Sequence, residues 1–439
     1  MKYKQIRNGA FIAVFYLLSM QPLQAQDSRT ITLKEAVDLT IANSKTLKIN
    51  TAKIAEATLA ITEARERRLP DAGITSAFLF LPLKPNVDIK TSGNNAAAPP
   101  RVSEAVYGIA SVSLPVYTAG KLQYGIESAK YLEQAVKLDA NNDRSLVILN
   151  SIYACINLYK AHQAITLVKE NLEQSQQRIK DLSNLEKNGL LARNDLLKAE
   201  LQTSNTELAL LDAESNYKIA CVNMNLMMGL PEQTVLIPDK TGIALPASIK
   251  TLEEYEQDAL QGRKDVAALS FRKKAATLGI KNAKSNYYPS IALTGGYIAA
   301  DIPKFLTITN AVNIGIGVKY DLSSLWKTKT KIQQAQLKVQ QLDLNSAMLV
   351  DNIRLQVNQA YQNYLVSEKK IQVLEKSVTQ ATENYRITKN KYDNSLATTT
   401  ELLDADVALL QTKLSVTNAK ADSFLAWNKL LQIAGLLNN

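Results

Sequence analysis

Chemistry in this 439-residue chain would have to come from carboxylates. Glu401 and Asp404 stand three residues apart, a spacing that sets both on one face of a helix. Acids so placed attract cations, but acids near a helix N-terminus are also favoured simply by the exposed N–H groups there. Glu253 and Glu254 follow Thr251 in the same way and are explained by capping. The single histidine, His162, lies mid-helix with no neighbouring cysteine, and a Ser-His-Asp triad would have to use it. No HExxH, CxxC, glycine-rich phosphate loop or GxSxG occurs. Neither catalysis nor a cofactor nor a bound metal is expected.

Cys155 and Cys221 lie 33 residues on either side of Asn188. If the chain turns back at Asn188, they face each other at one height. A disulfide needs Cα atoms within about 7 Å and packed helices usually stand wider, so the spacing leaves the pairing open.

The elements that position these residues begin after an export segment. Lys2, Lys4 and Arg7 precede an apolar run from Ala10 to Leu18, and Leu23-Gln24-Ala25 supplies a small residue for cleavage. That run is about half of what spans a bilayer as a helix, and no later run reaches that length either. A membrane segment, if present, is made of β-strands. Net charge falls from +10 to +7 once Lys2, Lys4 and Arg7 are removed. The remaining cations are spread among acids and glutamines rather than set in a basic block among aromatics, so nucleic acid is not an expected partner.

The chain repeats itself. Thr32-Leu33-Lys34-Glu35 recurs as Thr251-Leu252-Glu253-Glu254, 219 residues on, and both fit a capping box that opens a helix. Pro70 and Pro289 keep that offset and stop each helix after about 38 residues. Beyond them the offset becomes 206: Lys121 matches Lys327, Asn188-Gly189-Leu190 matches Asn394-Ser395-Leu396, and Met228-Gly229-Leu230 matches Ala434-Gly435-Leu436. One constant offset over a hundred residues marks a tandem duplication.

Between prolines and lysines the period changes to two. Asn313 to Tyr320 and Ser111 to Leu114 alternate apolar with small or polar residues, Ile291, Leu293 and Tyr297 fit a third strand, and Ile74 to Leu83 a fourth. Each repeat then holds one hairpin, its loop long in the first (Lys84 to Arg101) and shorter in the second (about Asp301 to Asn310). Tyr107, Tyr117, Tyr297, Phe305, Tyr320 and Trp326 flank these strands, as aromatic girdles do.

Each hairpin is followed by a helical run of about 67 residues, roughly 100 Å long. Its seam steps by three and four alternately, through Ala154, Leu158, Ala161, Ile165, Val168, Leu172, Ser175, Ile179 and Leu182. Ala360, Tyr364, Ser367, Ile371, Leu374, Val378, Ala381, Tyr385, Thr388 and Tyr392 repeat the rhythm, which calls for supercoiled packing. The chain breaks at Asn188 and Asn394, and a second helix returns. Residues 1–25 are thus the export segment and 26–230 the first repeat, with strands about 72–84 and 104–117 and a helical hairpin about 121–229. Residues 231–250 form a linker, and 251–439 the second repeat, with strands about 289–300 and 311–322 and a hairpin about 327–436. Four strands cannot close a barrel, so several chains must share one.

Signal segment, duplicated plan, paired Asn-Gly-Leu and Asn-Ser-Leu tips and terminal Gly-Leu pairs together resemble the TolC-like outer-membrane efflux proteins, over roughly residues 30 to 437. The resemblance implies a mainly α chain with a membrane β-barrel, a homotrimer sharing twelve strands and a periplasmic coiled-coil tunnel. It implies a passive efflux or secretion channel in the outer membrane, in contact with its lipid, a periplasmic adaptor and an inner-membrane pump. The rival is a periplasmic scaffold or adhesin with no pore. Matched to the family's gate, Glu401 and Asp404 fall on the ring carboxylates, Tyr392 on the gate tyrosine and Asp195 on the aspartate that accepts its hydrogen bond. Three copies would crowd six carboxylates and raise some of their pKa values. The gate's usual basic residue is replaced by Ala397. Asn188, Gly189, Leu190 and Leu191, with Asn394, Ser395 and Leu396, are the candidate adaptor-docking tips.

Overall fold

The computed structural model describes residues 28–83, 102–239, 248–303 and 305–437. The export segment, the first-repeat loop over 84–101 and residues 240–247 of the linker lie outside the described residues.

Thr32 opens α1 (Leu33–Asn43), its Oγ1 accepting from the Glu35 N–H at 3.2 Å. Thr251 opens α5 (Leu252–Gly262) with the full reciprocal box, Glu254 Oε2 accepting from the Thr251 N–H at 2.7 Å. The single helix expected to follow each cap is instead two: α1 gives way to α2 (Lys45–Glu66) at Ser44, and α5 to α6 (Lys264–Lys284) at Arg263. Ser44 and Arg263 take extended ψ values of 117° and 129°. They hold the same offset of 219 as the caps, so the break belongs to the duplication.

The long hairpins are α3 (Lys121–Lys187) with α4 (Arg193–Met228), and α7 (Ser324–Asp393) with α8 (Thr399–Ile433). Each helix ends in one device. At α3 the Leu190 N–H reaches the Leu185 carbonyl and Gly189 that of Glu186; at α7 Leu396 reaches Lys391 and Ser395 reaches Tyr392. The ends of α4 and α8 repeat it with Leu230 on Asn225 and Leu436 on Leu431. This is the Schellman cap, which demands a left-handed residue before an apolar one. Gly189, Gly229 and Gly435 supply that residue at φ 72–74°, and Ser395 bears it at φ 59°. The four recurring Gly-Leu and Ser-Leu pairs are thus helix stops.

The chain forms two compact units. Of the described residues, the first gathers 28–46, 144–239, 248–259 and 355–437. Its core joins α1, α3 and α4 to a pair of short parallel strands, β1 (Ser28–Ile31) and β4 (Val235–Pro238). Ile31, Leu236, Leu158, Met224 and Met228 are fully buried there, with Ala36 beside them. Cys155 and Cys221 share this core as free thiols. Nothing in the sequence marks β1 and β4, which are too short to alternate.

The second unit, with 47–83, 102–143, 260–303 and 305–354 of the described residues, holds the sheet. Strands β2 (Asp71–Phe80), β3 (Glu104–Tyr117), β5 (Ser290–Ile302) and β6 (Leu306–Lys319) run antiparallel in the order β2-β3-β5-β6. Asp71 faces Ser113, Ser113 faces Thr294, and Ser290 faces Lys319. The second hairpin turns far more tightly than expected, since Ile302 already pairs with Leu306.

The register sorts side chains into two unlike faces. Ile74, Phe78, Val106, Val112, Leu293, Tyr297, Val312, Ile314, Ile316 and Val318 share one face and all are exposed, Ile74 by 85% and Ile314 by 82%. The other carries Thr75, Ser111, Ser113, Thr294, Gly296 and Asn313. A Cβ at Gly296 would lie 2.7 Å from the Ala110 carbonyl oxygen, so only glycine fits this close approach. β2 and β6 are edge strands, each with one side unpaired within the sheet.

Candidate functional site at the helical tips

The Schellman caps explain both what the tips look like and what they spare. A cap of this kind usually folds its apolar residue back on the helix, and Leu230 and Leu436 are accordingly half-buried. At the tips the same residue stands out: Leu190 is 74% exposed and Leu396 77%. Asn188 and Asn394 are exposed beside them, Asn394 donating to the Asn390 carbonyl at 2.7 Å. Leu191, expected with the docking group, is instead half-buried against Leu182, Leu196, Ala199 and Leu403.

That cluster binds the two hairpins to each other just inside the tips, with Ile179 and the ring of Tyr392 packed on it. Polar ties lie around it. Lys198 of α4 donates to Asp195 at 3.3 Å and to Thr400 of α8 at 3.2 Å. Deeper, Arg178 of α3 donates to Asp406 of α8 at 2.9 Å, their side chains only 12% and 5% exposed. Asn171 adds a bond to the same carboxylate at 3.2 Å, and Arg178 reaches the Tyr385 hydroxyl at 3.4 Å. A cavity of about 1330 Å³ opens between the hairpins, lined among others by Glu173, Arg178, Asp195, Lys198, Tyr392 and Thr398.

The residues matched to the family's gate lie at this end of the hairpins, each with its own contacts. Tyr392 and Asp195 line one cavity, but Asp195 is held by Lys198 one turn along. The Tyr392 hydroxyl instead accepts from Thr399 Oγ1 at 3.5 Å, the outer limit of a hydrogen bond. Glu401 closes a capping box on Thr398: its Oε2 accepts from the Thr398 N–H at 2.7 Å, while Thr398 Oγ1 accepts from the Glu401 N–H at 3.2 Å. That backbone N–H, helped by the Thr398 hydroxyl, draws the Glu401 carboxyl below its ordinary range. Within one chain the shift is thus opposite to the rise that crowding would cause. Asp404, one turn on, is exposed.

Thr398-Thr399-Thr400-Glu401 repeats the Thr-x-x-Glu pattern of Thr32 and Thr251, and both halves of its box close as they do at Thr251. The Arg178–Asp406 pair had no such signal, its members lying 228 positions apart. Among the described residues no group of three or more His, Cys, Asp or Glu is placed to hold a metal ion. His162 packs on Tyr217 with ring centroids 5.6 Å apart. No helix among the described residues is long and apolar enough to cross a membrane.

Comparison with known proteins bears on this geometry. Residues 256–436 match the family model described as outer membrane efflux protein. The outer membrane efflux protein BepC of Brucella suis biovar 1 is 21% identical over 304 residues, 69% of this chain and 66% of that one. The outer membrane protein VceC of Vibrio cholerae superposes with a TM-score of 0.74 at 16% identity, over 92% of this chain and 96% of that one. The Campylobacter jejuni CmeC outer membrane channel gives 0.74 at 16% identity, over 92% and 85% of the two chains. At such identities the likeness establishes the fold, and the TolC-like resemblance read from the repeats holds.

Proposed function

We propose that this chain, with an outer membrane efflux protein domain over residues 256–436 and the fold of the outer-membrane channels, is one protomer of a passive trimeric duct. The duct carries cargo from a periplasmic adaptor and inner-membrane pump to the exterior. What carries the reading is the sheet: four strands with an exposed apolar face, a small polar face and two unpaired edges. In water such a face invites aggregation, and in lipid such edges leave backbone groups without partners. Both are relieved when copies join edge to edge with the apolar faces turned to lipid. Three copies give twelve strands with a polar lumen. A scaffold without a pore gives this face no role.

The helical hairpins then close the periplasmic end, with Glu401 and Asp404 of each copy forming the ring and Tyr392, Asp195 and their neighbours the ties that hold it. Leu190 and Leu396, which the caps leave uncovered, are the adaptor's contacts. The transport itself needs no catalytic residue, because the pump supplies the energy.

The test is conductance of the purified protein in a planar bilayer beside a Glu401→Ala/Asp404→Ala variant. Small cation-selective steps, blocked by multivalent cations in the wild type and less so in the variant, are expected. Well-folded oligomer that conducts nothing would overturn the channel, and a pore indifferent to both substitutions would move the ring elsewhere.

A further inference from the structure

The strand ends Asp71, Tyr117, Ser290 and Lys319 lie together on one rim of the sheet, since Asp71 pairs with Ser113, Tyr117 with Ile291, and Ser290 with Lys319. α2, α3, α6 and α7 all meet the sheet at this rim. Segments separate in sequence thereby bring cations together: Arg65 and Arg68 before β2, Lys284 before β5, and Lys327, Lys329 and Lys331 in the first turns of α7. All six are exposed, and among the described residues none of them forms an ion pair. The carboxylates at this level are fewer, namely Glu63, Glu66, Asp71, Glu127 and Asp321, and Arg67 already holds Glu63 at 2.9 Å.

Large apolar side chains stand exposed among these cations: Leu69, Tyr288, Leu322, Leu325 and Trp326, the last by 65%. Trp326 and Lys329 are three apart and share a face of α7. A soluble surface gains nothing from tryptophan and tyrosine at such exposure. A membrane boundary does, because the rings settle at headgroup depth while basic side chains reach outward to phosphate. The unbalanced positive charge selects among headgroups, favouring those with net negative charge.

We infer that this rim is a binding surface for anionic phospholipid headgroups of the adjoining leaflet. The inference rests on the membrane reading above. It adds that lipid charge, and not apolar contact alone, fixes the depth of the sheet.

Tryptophan quenching tests it on the full-length assembled protein. The chain has two tryptophans, Trp326 and Trp427, so Trp427→Phe leaves Trp326 as the reporter. The protein is reconstituted in phosphatidylcholine, and brominated phosphatidylglycerol or brominated phosphatidylcholine is titrated in. We expect the anionic lipid to associate at least about threefold more strongly at low salt, with the preference fading at high salt. An Arg68→Gln/Lys327→Gln/Lys329→Gln variant should lose the preference while both lipids still quench. Equal quenching by both lipids in the wild type, or a preference that survives in the variant, would overturn the proposal and leave the membrane reading standing. Quenching by neither lipid would place Trp326 away from the bilayer and overturn the membrane reading with it.

Discussion

Arg178 donates to Asp406 across the two hairpins at 2.9 Å, and this nearly enclosed pair ties α3 to the start of α8. Removing one partner leaves the other charge buried without compensation, which costs about 3–5 kcal/mol. Asp406→Ala should therefore loosen the first turns of α8 and speed amide exchange at Leu402 to Leu409 more than tenfold. An Arg178→Met/Asp406→Leu double variant should restore most of the protection, because the apolar pair meets the cluster of Leu182, Leu196 and Leu403. Exchange unchanged by Asp406→Ala would show that the apolar cluster alone holds the hairpins.

The cap at Thr398 predicts a pH dependence with a definite sign. The folded Glu401 pKa is lowered by the Thr398 N–H, so its contribution to stability is full above the unfolded carboxylate value. It is lost as pH falls through the lowered folded value. Amides at the start of α8, corrected for intrinsic exchange, should lose protection only in that acidic window, and Glu401→Gln should flatten the profile. A loss centred above the ordinary carboxylate range in assembled protein would instead report carboxylate crowding between copies.

The thiols should be silent in the native state. Burial pushes the Cys155 thiol up to about 11, and Cys221 is buried in the same core. A maleimide should label neither cysteine in folded protein and both after denaturation without reductant. No label under denaturing conditions would reveal a Cys155–Cys221 disulfide.

Two neighbouring strand positions should answer differently to the same charge. Ile314 lies on the exposed apolar face of β6 and Asn313 on the small polar face. Lysine at a lipid-facing mid-strand site costs about 2–4 kcal/mol, so Ile314→Lys should prevent detergent-resistant assembly. Asn313→Lys should assemble and weaken cation selectivity in bilayer recordings. Equal assembly of both would contradict the assignment of faces.

Leu190→Ser/Leu396→Ser should leave folding intact, since the caps need the backbone of these residues and not their exposed side chains. It should still lower efflux in cells that depend on this channel. Undiminished efflux would place the adaptor contact elsewhere.

The duplication, the four long strands and the two hairpins were legible because each rests on local pattern: period two, period 3.5, or a capping box at a fixed offset. The breaks at Ser44 and Arg263 were not, since neither residue is a helix breaker and only the extended backbone reveals the bend. The tips were legible as turns, but their Gly-Leu and Ser-Leu pairs read as docking motifs before the cap hydrogen bonds showed why the pairs recur. Tyr392 and Asp195 line one cavity, and within one chain Tyr392 meets Thr399 while Asp195 meets Lys198. Thr399 and Lys198 stand seven and three residues from these partners, but they are common residue types that form no motif.

The order β2-β3-β5-β6 gives the sheet one β2 edge and one β6 edge, so in the proposed ring copies join head to tail, β6 edge to β2 edge. A ring closed this way has no spare position. A chain with a spoiled β6 edge accepts a neighbour on one side and offers none on the other, acting as a chain terminator. In the proposed ring each such chain would remove its whole ring from service, so a small admixture would poison assembly out of proportion to its number.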